Sequence, residues 1–82
     1  MPTTSDAILI TGCSTGIGRA TAIRLAESGR PVYATARTLS AIADLADVGC
    51  ELLALDVTDE DSMVAAVDTV VSHHGAVGAL VN

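Results

Sequence analysis

Apolar and polar positions follow two different periods along the chain. Residues 7–11 (AILIT) are a short, mostly apolar run without helical spacing, the pattern of a strand buried on both faces. After a glycine-rich turn, Gly18, Ala22, Leu25, Ala26 and Gly29 fall on one stripe at helical spacing. Arg19, Glu27 and Arg30 lie off it, and Gly29 suits the C-terminal cap. Residues 31–36 (PVYATA) predict a second strand, with proline tolerated at its first position. Leu39, Ile42, Leu45 and Ala46 mark a short second helix closed by Gly49, and residues 50–57 (CELLALDV) a third strand. Thr58 is the expected cap of a third helix, with Asp59, Glu60 and Asp61 in its first turn. Its apolar face is expected at Met63, Val64, Val67, Val70 and Val71, its end at Gly75, and a fourth strand at residues 79–82.

Strands and helices therefore alternate. Short apolar strands joined by helices predict an α/β fold with a parallel sheet covered on both faces. Right-handed crossovers then make a doubly wound sheet of strand order 3-2-1-4 the natural arrangement. The fourth strand has no helix after it to cover it. The chain is accordingly expected to be part of a longer architecture, with an open sheet edge and a tendency to aggregate alone.

Composition narrows the function classes. The 82 residues carry a net charge of −6, with four arginines and no lysine, which argues against nucleic-acid and membrane-surface partners. The N-terminus lacks the features of a signal peptide, so a cytoplasmic location is the expectation. Tyr33 is the only aromatic residue, leaving a core of Ala, Val, Leu and Ile. Cys13 and Cys50 have no ligand spacing and are expected to be reduced thiols; a place before a helix can raise the reactivity of Cys13, but with no base nearby it is not expected to be a nucleophile. His73 and His74 are adjacent, and neighbours on a helix diverge by about 100°, so they are not expected to meet on one ligand.

The chemistry points to the turn Thr11-Gly12-Cys13-Ser14-Thr15-Gly16-Ile17-Gly18. A helix N-terminus offers unpaired N–H groups and a positive dipole end, and glycines let a diphosphate approach. Gly12 is expected to permit the turn out of the strand, Gly16 close approach of phosphates, and Gly18 tight packing of the helix. Ser14, Thr15 and Ile17 would present hydroxyl or backbone donors. A nucleotide-triphosphate loop of the Gly-Lys-Ser/Thr kind is excluded by the absence of lysine.

The spacing is GxxxGxG, and here the sequence resembles the short-chain dehydrogenase/reductase family, whose cofactor loop is Thr-Gly-x-x-x-Gly-x-Gly. Thr11, Gly12, Gly16, Ile17 and Gly18 match it position by position. Leu55-Asp56-Val57 resembles the family segment whose Asp meets the adenine amino group, and Leu80-Val81-Asn82 the opening of its Asn-Asn-Ala-Gly motif. The resemblance implies a Rossmann-type fold, a nicotinamide dinucleotide cofactor, an alcohol or carbonyl substrate, and a parent protein that is often a homo-oligomer.

Cofactor choice is read at the end of the second strand, where the adenosine ribose lies. NAD-binding domains usually place an acid there. This strand ends Thr35-Ala36-Arg37-Thr38, and Arg37 can fork onto a 2′-phosphate while Thr38 adds a hydroxyl, which favours NADP(H) over NAD(H). Arg19, one residue into the first helix, is expected to face solvent and is left out of the site. The family's catalysis uses a serine and a Tyr-x-x-x-Lys pair, which a lysine-free chain cannot supply. Tyr33 is expected to be a packed strand residue at the adenosine end of the sheet. The expectation is that residues 1–82 are the N-terminal, cofactor-binding half of one domain, without catalytic residues and inactive alone. A non-catalytic dinucleotide sensor is the alternative, to be separated by the sequence that follows Asn82. A methyltransferase using adenosylmethionine is a third reading, disfavoured by Arg37.

Overall fold

The computed structural model describes residues 6–14 and 16–81. Its elements are β1 (Ile8–Ile10), α1 (Gly16–Glu27), β2 (Val32–Ala36), a 3₁₀ segment (Leu39–Val48), β3 (Glu51–Ala54), α2 (Glu60–His74) and β4 (Ala79–Val81). The four strands make one sheet of order β3-β2-β1-β4, with every neighbouring pair parallel. This is the α/β, doubly wound arrangement that the alternation of periods predicts.

Strand alternation sorts the side chains into two layers. Ile8, Ile10, Val32, Ala34 and Ala36 pack with Ala22 of α1 and with Ile42 and Leu45 of the 3₁₀ segment. Leu9, Tyr33 and Leu55 pack on the opposite face with Ala66 and Val70 of α2. Both faces of the central strands are thus covered, and β1 and β2 are buried at every position. Thr35 is the polar exception in β2, and its buried hydroxyl donates to the Ile10 carbonyl at 2.7 Å.

Three local expectations change. The second helix is a run of 3₁₀ turns, and the reason lies in its spacing. Ile42, Leu45 and Val48 recur every third residue, the period of a 3₁₀ helix, so this side meets the core only if three residues make a turn, while Leu39 at the start of the row stays exposed. The α2 cap is Asp59 and not Thr58: the Asp59 carboxylate accepts from the N–H groups of Asp61 and Ser62 at 3.0 and 3.4 Å. Thr58 turns back onto Asp56 instead, and β3 runs only to Ala54. The buried face of α2 runs through Met63, Ala66, Val67 and Val70. Val64 and Val71 lie off that stripe and are exposed.

Candidate functional site

Parallel strands deliver their C-terminal ends, and the loops that follow, to one edge of the sheet. The loop after β1 is fastened on both sides there. The Thr11 N–H donates to the Val81 carbonyl and the Cys13 N–H to the Thr35 carbonyl, each at 2.9 Å. Between this loop and the ends of β2 and β3 lies a groove of about 280 Å³. Gly12, Ser14, Ala36, Arg37, Thr38, Ala41, Leu55 and Val57 line it.

The three glycines answer different constraints. Gly12 and Gly16 both take a φ of +64°, a left-handed conformation that side chains with a Cβ disfavour. Open space lies where a Cβ on either would point. Gly18 is under the opposite constraint. A Cβ there would stand 2.4 Å from the Gly12 carbonyl oxygen and 3.0 Å from that of Thr11, so the helix start is seated directly on the strand-end backbone. Ile17, between them, is 84% exposed at the mouth of the loop. Thr15 and Asn82 lie outside the described residues.

At the far side of the groove the Arg37 side chain is 78% exposed. Thr38 opens the 3₁₀ segment with extended backbone, and its hydroxyl makes no capping bond. Asp56 is anchored: its Oδ1 accepts the Thr58 hydroxyl at 2.6 Å and the Thr58 N–H at 2.9 Å. Its own N–H donates to the Ser62 hydroxyl at 3.0 Å. Its Oδ2 faces the Arg37 Nε at 3.8 Å. The Thr58 hydroxyl, its backbone N–H and Arg37 hold the Asp56 carboxyl below the usual carboxylate range. Val57 is 56% exposed and lines the groove beside it. Gly12, Ser14, Arg37, Thr38 and Val57 therefore share one concavity, with Gly16, Ile17 and Gly18 at the helix start beside it.

Other residues depart from expectation. Cys13 is wholly buried with its thiol directed to the Ile10 carbonyl, and burial pushes that thiol up, so its reactivity is lowered by its position. Arg19 is paired with Asp44, tying α1 to the 3₁₀ segment, and this bond holds the Asp44 carboxyl low. Tyr33 is packed as expected but stands near the start of β2, at the sheet end opposite the groove. Its hydroxyl meets both His73 Nδ1 at 3.0 Å and His74 Nε2 at 2.9 Å. The two rings do converge, because one uses its near nitrogen and the other its far one, which offsets their divergence on the helix. Burial, with the Glu51 charge alongside, pushes the Tyr33 phenol up. No helix among the described residues is long and apolar enough to cross a membrane.

Comparison with known proteins decides the family. The sequence model described as short chain dehydrogenase matches residues 6–82. The chain belongs to the short-chain dehydrogenase family. It is 49% identical over 57 residues to the NADPH-dependent 1-acyldihydroxyacetone phosphate reductase of Schizosaccharomyces pombe, covering 68% of this chain and 19% of that protein. It is 41% identical over 81 residues to the 3-oxoacyl-acyl-carrier-protein reductase MabA of Mycobacterium tuberculosis, covering 99% of this chain and 31% of that enzyme. The crystal structure of a short-chain dehydrogenase from Streptomyces avermitilis superposes with a TM-score of 0.88 at 35% identity, covering 96% of this chain and 30% of that one. The chain thus spans between a fifth and a third of the length of these short-chain relatives. The relatives are oxidoreductases, and the yeast enzyme is NADPH-dependent by name.

Proposed function

We propose that these residues form the adenosine- and diphosphate-binding half of an NADP(H)-dependent short-chain oxidoreductase acting on an alcohol or carbonyl substrate. One observation carries this reading: the glycine loop and the Arg37-Thr38 corner open onto the same groove. The residues fit the cofactor. Left-handed Gly12 and Gly16 leave open space where side chains would intrude, and the helix start brings backbone N–H groups and a dipole suited to a diphosphate. Ser14 would add a hydroxyl and Ile17 a backbone donor, and Gly18 seats the helix. Arg37 and Thr38 would hold the 2′-phosphate, and Asp56 and Val57 the adenine.

When bound, such a cofactor would supply hydride-transfer chemistry at its nicotinamide. These residues bind and orient. Proton transfer needs a tuned acid, and a chain without lysine cannot form the Tyr-x-x-x-Lys pair that supplies it in the family. Tyr33 is committed to two histidines at the opposite end of the sheet.

The test is calorimetric binding of 2′,5′-ADP and 5′-AMP to the chain and to its Arg37→Ala variant. A charge-assisted contact to phosphate predicts that 2′,5′-ADP binds roughly tenfold tighter and that Arg37→Ala removes most of this preference. Equal binding of the two nucleotides, or a preference indifferent to Arg37, contradicts the NADP(H) assignment.

A further inference from the structure

We propose that Asp56 limits the preference of this groove for a 2′-phosphate, holding it below what Arg37 alone would give. The inference rests on the binding reading above and goes beyond it by assigning the carboxylate a part in cofactor choice.

Three observations carry it. First, the Asp56 Oδ1 is doubly occupied by the hydroxyl and N–H of Thr58, which fixes the carboxylate plane. Second, the other oxygen, Oδ2, is thereby aimed at Arg37, and it meets the guanidinium through Nε at 3.8 Å. Third, both residues stand at the same corner: Arg37 lines the groove, and Asp56 lies between its lining residues Leu55 and Val57. A 2′-phosphate drawn to Arg37 enters the field of a fixed negative charge that already shares that guanidinium. A 2′-hydroxyl carries no charge and is insensitive to it. The carboxylate therefore opposes one ligand and spares the other.

The geometry sets the scale. The pair is long and the Arg37 side chain is 78% exposed, so water and salt weaken the effect. Asp56→Asn is the suitable variant, because the amide oxygen still accepts both Thr58 bonds while the charge is gone. The ratio of 2′,5′-ADP to 5′-AMP affinity is expected to rise roughly two- to fivefold in this variant at low salt. The rise should shrink in 0.5 M sodium chloride. A loss of adenine contact or a loosened fold weakens both nucleotides alike and leaves the ratio unmoved. An unchanged or lower ratio in a variant whose circular dichroism matches the parent chain overturns the proposal. A parent chain that binds neither nucleotide overturns the binding reading itself, and the two failures are told apart by that first measurement.

Discussion

The two ends of the parallel sheet treat their polar side chains differently. At the N-terminal end, the Tyr33 hydroxyl on β2 is taken up by His73 and His74 on α2, and the three groups serve each other. At the C-terminal end, the Arg37 guanidinium is mostly exposed, the Thr38 hydroxyl makes no capping bond, and Gly12 and Gly16 keep Cβ atoms away. The first end fastens a helix to the sheet. The second holds polar groups toward a groove. A parallel sheet produces this asymmetry on its own, since all its strands deliver loops to the same edge. The sequence then leaves one edge with groups open to the groove and supplies the other with groups that close on one another.

The comparison can be broken from either side. Gly18→Ala attacks the groove end with the largest expected effect. The new Cβ would meet the Gly12 carbonyl oxygen at 2.4 Å, and backbone cannot rotate away as a flexible side chain could. Overpacking of this kind costs about 1–3 kcal/mol, measurable as a lower denaturant midpoint, and the displaced loop should lose nucleotide binding. Tyr33→Phe attacks the closure end more mildly. It removes the hydroxyl from two histidines that water can still reach, so the expected loss is about 1 kcal/mol with nucleotide affinity unchanged. A reversal, with Tyr33→Phe weakening nucleotide binding at intact stability, would erase the division between the two ends.

Much of the architecture was legible because it depends on local patterns. The alternation of apolar runs with helical stripes names the elements, and two-faced burial of β1 and β2 follows from their apolarity, broken only at Thr35 of β2. Five of the eight residues lining the groove, Gly12, Ser14, Arg37, Thr38 and Val57, were also legible from the glycine spacing and the strand ends, while Ala36, Ala41 and Leu55 were not. What escaped was set by contacts across the fold. Arg19 and Asp44 are 25 residues apart and meet only once the 3₁₀ segment packs on α1. The Tyr33 cluster depends on which nitrogen each histidine ring presents, which helical periodicity does not encode. The 3₁₀ segment could have been found, because apolar residues at 39, 42, 45 and 48 repeat every three positions. The cap at Asp59 was hidden by its neighbour: Thr58 is also a capping residue, and its engagement with Asp56 removes it from that task.

The division between the two ends is tested most directly by following backbone amide resonances during a titration with NADPH. Binding at the groove predicts that the Gly12, Gly16, Gly18 and Arg37 amides shift together while Tyr33, His73 and His74 stay in place. Shifts centred on the histidine end, or a glycine loop that does not respond to saturating nucleotide, would contradict it.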